Sequence, residues 1–208
     1  MRAPLNHTKE LERLSSCMNQ FQESQTFLQT IAEEAERNSA TARQLFSDLS
    51  EAQLNWKPAP EKWSIAQCLE HLAVATAKFG PYFTDVIARA KQKPLTAKPA
   101  YRPTLMGGWL IKYVSPDSPR KLSAPKILRP AASSSIHGSL AGFLEEQEKF
   151  IHFVREAEGI DYNRTRLRSP VTPLMRYSLA DAFVITVVHA RRHLAQARRV
   201  RETPGFPN

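Results

Sequence analysis

Apolar residues along the chain recur with the period of helices. Leu28, Ile31, Ala35, Asn38, Ala42, Leu45 and Leu49 keep a three-four spacing with one polar member. That spacing predicts an amphipathic helix with a seam for neighbouring helices. Asn38 lies in the seam, so it is expected to be buried and hydrogen-bonded to a neighbouring helix, since an unpaired buried amide costs about 1–3 kcal/mol. Upstream, Leu11, Leu14 and Met18 fit a shorter helix around Leu5–Met18.

A second long helix opens at Ser64, followed three residues later by Gln67, the pattern of a capping box. Ile65, Leu69, Leu72, Thr76 and Phe79 continue it, and Gly80-Pro81 is expected to kink or interrupt it before Tyr82–Lys91 resumes. A third starts near Ser139, with Leu140, Phe143, Gln147, Phe150, Val154 and Ala157 inward and Gly159 past its end. The fourth opens at Ser178, with Asp181 at its third position, and reaches about Arg201 before Pro204 stops it. No strand-like alternation of useful length appears outside the proline-rich segment. Four such helices are the content of an all-α four-helix bundle.

Short loops are expected between helices one and two and between three and four. A crossover of about 45 residues separates two from three, and seven of the fifteen prolines fall between Pro94 and Pro130. Proline forbids a long regular element there, although a short helix fits around Leu105–Tyr113. A loop this long inside one domain is often functional. The expected organisation is an N-terminal extension over 1–23 and a bundle over 24–203.

Charge and composition narrow the field. The chain of 208 residues carries a formal +9, concentrated in two stretches. Residues 86–138 hold ten basic side chains against Asp117, and residues 163–201 hold nine arginines against Asp181. Nucleic-acid binding through Arg191, Arg192, Arg198, Arg199 and Arg201 is disfavoured, because a helix macrodipole already attracts arginine to a C-terminal end and no stacking aromatic is interleaved. Only Cys17 and Cys68 are present, which excludes a disulfide scaffold and fits a reducing compartment. No apolar run suits a membrane span and Met1–Glu12 lacks the apolar core of a signal peptide, so the expected location is cytoplasmic.

The six histidines are unequal. His7, His137 and His152 lie in polar surroundings. His189 and His193 are one turn apart on one face of the last helix and can each offer a nitrogen to a single ion. Ala190 stands where a metalloprotease helix carries its glutamate, which argues against that chemistry. His71 is a possible third ligand at the border of its helix's apolar stripe, and periodicity alone leaves its direction open. Cys68, one turn away, reads as a buried inert thiol. Glu70 adjoins His71 in sequence but points about 100° away around the helix.

Two blocks of sequence carry a family resemblance. Trp63-Ser64-Ile65-Ala66-Gln67-Cys68-Leu69-Glu70-His71-Leu72 resembles the motif opening the second helix of DinB-like (YfiT-like) proteins. His189-Ala190-Arg191-Arg192-His193-Leu194-Ala195-Gln196 resembles the H-x-x-x-H-x-x-Q of that family's last helix. The resemblance spans roughly residues 24–201. It implies an up-down-down-up bundle and a divalent metal ion, zinc or nickel first, on His71, His189 and His193. Family members include transferases dependent on low-molecular-weight thiols, proteins described as metal-dependent hydrolases, and possible homodimers.

The resulting expectation is a metal-dependent enzyme acting on a small molecule, either a small-thiol-dependent transferase or a hydrolase. The alternative is a non-catalytic, stress-related bundle that binds a metal or ligand through the same residues. Metal binding should weaken below about pH 6 if the imidazoles titrate near their unperturbed value.

Overall fold

The computed structural model describes residues 27–93, 100–118, 124–130, 136–172 and 174–208. The expected helix around Leu5–Met18, the extension over 1–23, Cys17 and His7 lie outside the described residues. Four long helices build the molecule: α1 (Phe27–Phe46), α3 (Ile65–Lys91), α5 (Ser139–Glu156) and α6 (Leu179–Arg201). A short α2 (Glu51–Asn55) stands between the first two, and α4 (Leu105–Val114) lies in the crossover where a helix was expected.

Start signals act as the sequence predicts. Ser64 Oγ accepts from the Gln67 N–H at 3.1 Å while Gln67 Oε1 accepts from the Ser64 N–H at 3.2 Å. Ser178 and Asp181 form the same reciprocal pair at 3.0 and 3.1 Å. Each such cap contributes about 1 kcal/mol by satisfying donors that the first turn leaves open.

Three local expectations are corrected. Helix α3 is continuous through Pro81, so of the kink or interruption expected there the interruption does not occur. The carbonyl left without its N–H belongs to Ala77, which is exposed, as is Pro81, while Phe79 and Phe83 on the buried face hold the helix with rings stacked at 5.5 Å. Helix α1 stops at Phe46 rather than Leu49, and Ser50 then caps α2. The connection from α5 to α6 is not a short loop: it holds an antiparallel hairpin, β1 (Arg166–Arg168) with β2 (Arg176–Ser178), in which Leu167 faces Tyr177. Strands of three residues are too short for alternation to reveal.

Helix direction follows from side-chain pairs. Between α1 and α6, Glu34 pairs with Arg191 and Asp48 with Arg201, both numbers rising together, so these helices are parallel. Between α1 and α5, Glu36 meets Arg155 and Arg43 meets Glu148, so they are antiparallel. Helices α3 and α5 are parallel, since Phe83 packs on Phe150 and Lys91 pairs with Glu156. His71 adjoins His189 and Phe83 adjoins Phe183, which makes α3 and α6 antiparallel. The order is therefore up-down-down-up.

The core divides into two apolar clusters, one around Phe83, Phe150 and Phe183 and the other around Leu69, Phe143 and Leu194. Where one gives way to the other, the four helices carry polar or small residues: Asn38 and Ser39, Ala75 and Thr76, Gln147, and His189. Asn38 is buried there, and its Nδ2 donates to the Val187 carbonyl at 3.1 Å, as its place in the seam requires. Gln147 is also buried, as its spacing predicts. The apolar core is thus interrupted at one level, and on the α3–α6 side that level holds histidines.

Candidate functional site

His71 settles the direction that periodicity leaves open: it is 2% exposed and faces α6. It meets His189 and His193, which sit partly exposed on the wall of an open cavity of about 1050 Å³. One ligand-type nitrogen from each lies within 4.8 Å of the others. The rings stand nearly edge-to-face, with centroids 4.6–5.0 Å apart.

Hydrogen bonds orient two of these rings. His71 Nδ1 lies 2.5 Å from the carbonyl oxygen of Leu128, which can only accept. The proton therefore sits on Nδ1, and the Nε2 lone pair points inward. His193 Nδ1 lies 3.0 Å from Gln196 Oε1, which fixes the same tautomer when the amide oxygen is the partner. The Nε2 atoms of His71 and His189 are 3.2 Å apart. Ligands about 2.0–2.1 Å from a tetrahedral ion are separated by roughly 3.3 Å, so this gap is close to one edge of such a sphere. Three neutral nitrogens, two with their outer N–H anchored, form a donor set suited to a borderline divalent ion.

Trp63 covers the cluster, with its ring 5.0 Å from His71 and 5.7 Å from His193. The same pair of helices that brings the histidines together leaves the other candidates apart. His137 and His152 stay away from the cluster, and the His137 side chain is 77% exposed. Cys68 is fully buried, and burial pushes its thiol up to about 12, which makes it the inert cysteine expected. No carboxylate joins the three histidines among the described residues. Glu61, on the loop before α3, is the carboxylate that lines the cavity.

Burial holds all three imidazoles below their ordinary value of 6.5. For His189 the neighbouring His193 and His71 add to the effect, and His193 falls to about 3. The unfolded chain therefore binds protons below about pH 6.5 that the folded site refuses, and stability falls as pH drops through that window. Urea midpoints of metal-free protein should decline from pH 7 to pH 4.5, and a His189→Gln/His193→Gln variant should decline less steeply. Equal slopes would contradict the assignment. Proton competition at these nitrogens is thereby shifted to lower pH than unperturbed imidazoles would give.

The resemblance carried Gln196 as part of a motif without a role, and the structure supplies one, as an anchor for His193. The Leu128 carbonyl left no signal in the sequence, because any residue carries that group. The cavity's outer wall, with Trp109 and Tyr113 of α4 stacked at 4.9 Å and Met175 before β2, was equally hidden.

A bundle of this direction order with a three-histidine cluster between its second and last long helices defines a class that sequence comparison identifies directly. The model of the DinB superfamily matches residues 34–197, and the chain belongs to that superfamily. Among solved structures it is similar to YfiT from Bacillus subtilis, described as a probable metal-dependent hydrolase with an unusual four-helix bundle topology. That match has a TM-score of 0.54 and 18% identity, and covers 88% of this chain and 91% of that one, a likeness of fold. No curated protein matches the chain. No described helix is long and apolar enough to cross a membrane.

Proposed function

We propose that the chain is a metal-dependent enzyme in which His71, His189 and His193 hold one divalent ion, zinc or nickel, beside a cavity for a small-molecule substrate. The observation that carries this reading is the convergence of three imidazole nitrogens, two of them on rings whose outer nitrogen is tied down, His71 by Leu128 and His193 by Gln196. A divalent ion held by neutral ligands keeps its full charge and acts as a Lewis acid, lowering the pKa of a water or thiol brought to it. The chain's own contribution is geometric. Leu128 and Gln196 hold His71 and His193 in one tautomer, Trp63 shields the same two rings, and the open cavity side leaves room for a substrate and a second reactant.

Two reactions fit, transfer of a low-molecular-weight thiol to an electrophile and hydrolysis. Because no carboxylate joins the histidines among the described residues, the reading favours a nucleophile acidic enough to ionise without a dedicated base. A thiol meets that condition more readily than water. The same feature suits a non-catalytic metal-binding bundle, and one experiment separates them. Protein purified without an affinity tag should contain about one equivalent of divalent metal by elemental analysis. With that metal it should convert an electrophile in the presence of added small thiols or water, and a chelator should abolish turnover. Metal without turnover across the screen would leave the binding bundle, and no metal would remove both.

A further inference from the structure

The five arginines of α6 divide into two groups. Arg191 pairs with Glu34, Arg198 with Glu202 at 3.5 Å, and Arg201 with Asp48 at 2.8 Å. Arg192 and Arg199 line the cavity, on the same helix face as His189, His193 and Gln196. Attraction of arginine to a helix C-terminus explains why five are present but not why two turn into the cavity. Arg192 is held by a hydrogen bond from Nη1 to the Ser115 carbonyl at 2.5 Å, which places it where α4 ends. Burial lowers its pKa, and the positive charge of Arg199, which lines the same cavity, acts in the same direction.

Among the described residues, Lys62 and Arg129 add two more cations to the cavity lining, against the single carboxylate of Glu61. No described carboxylate pairs with Arg129 or Arg199. The same cavity is also lined by apolar and aromatic side chains, among them Trp109, Tyr113, Val171 and Met175. Adjacent cations in a partly desolvated wall are stabilised by an anion between them, and arginine forks suit carboxylate and phosphate oxygens.

We infer that Arg192 and Arg199 form an anion subsite beside the three histidines, and that the ligand of this cavity is a small organic acid whose apolar body lies against Trp109 and Tyr113. This inference deepens the reading of the site as a small-molecule enzyme but does not depend on its metal. A carboxylate or phosphate group seated on the two arginines lies beside the histidines, since Arg192 directly precedes His193 and stands one helical turn beyond His189. Arg192 and Arg199 are then specificity residues rather than ligands of an ion.

The test uses full-length protein, both loaded with zinc and stripped by chelator. Binding of benzoate, phenylacetate, hexanoate and phenyl phosphate is followed by calorimetry, beside the neutral benzamide and phenylacetamide. At least one acid should bind tighter than its neutral counterpart, and the Arg192→Gln/Arg199→Gln variant should weaken it about tenfold or more, the size of a lost charge-assisted hydrogen bond. Zinc content should be the same in variant and wild type. Binding that persists in stripped protein supports the arginines even where the metal reading fails. The inference is overturned if none of the acids binds, if amide and acid bind alike, if the double variant binds unchanged, or if removing zinc alone abolishes binding.

Discussion

Replacing His71 by alanine should cost more than about a hundredfold in zinc affinity, beyond what losing an orienting partner alone typically costs. The two histidines left, His189 and His193, come from one helix and can hold an ion only from one side. In the proposed site His71 would supply the nitrogen from the neighbouring helix α3, with its Nε2 3.2 Å from that of His189. It is also the ring most fully fixed, buried and bonded to the Leu128 carbonyl. Gln196→Ala should show a milder loss, on the order of tenfold, since it frees the His193 ring without removing a ligand. Competition with a chromogenic chelator measures both, with circular dichroism as a check on folding. If His71→Ala bound zinc with unchanged stoichiometry and affinity, the three-histidine assignment would be wrong.

The second large effect concerns stability. Asp181 is 0% exposed and accepts hydrogen bonds from the Tyr101 hydroxyl at 2.9 Å, the Thr104 hydroxyl at 2.7 Å and the Ser178 N–H at 3.1 Å. The Thr104 N–H lies 3.3 Å from the same carboxylate. Thr104 in turn caps α4 through the Gly107 N–H, so one carboxylate ties the start of α6 to the start of the crossover helix. Asp181→Ala should destabilise the protein by about 4 kcal/mol, because it strands a buried hydroxyl and opens a helix N-terminus. Gly107→Ala should be comparable, since a Cβ there would lie 2.1 Å from the Asp181 carboxyl carbon. Urea unfolding measures both. A loss below about 1 kcal/mol for Asp181→Ala would show that the donors find other partners.

That carboxylate also shows how far the sequence can be read. Asp181 was legible as the third residue of a capping box, which is a local pattern. Its bonds to Tyr101 and Thr104 were not, because they cross about 80 residues of separation and depend on how the crossover lies on the bundle. The same division runs through the site. His189 and His193 were legible because helical spacing alone puts them on one face. His71 needed the resemblance to single it out, since it lies at the border of its stripe, and only the packing of α3 against α6 turned it inward. The long helices and their caps followed from periodicity and hydroxyl placement. The hairpin before α6 did not, because three-residue strands hold too few positions to show a period. Pro81 misled for a related reason: a proline costs a helix less when the orphaned carbonyl faces water and the residues on either side are clamped in the core.

The helix order has a consequence for how the protein is made. Its first and last long helices lie side by side in parallel, and His71 is separated from the nearer of its two histidine neighbours by 118 residues. A chain emerging from the ribosome can complete α1, α3 and the crossover and still expose the inner face of each, because α5 and α6 together are the surfaces that cover them. Contacts of such long separation require large loops to close before they contribute stability, which slows folding. Synthesis that stalls before α6 therefore leaves an incomplete bundle with His71 unmatched, a species for chaperones and proteases rather than one able to capture an ion.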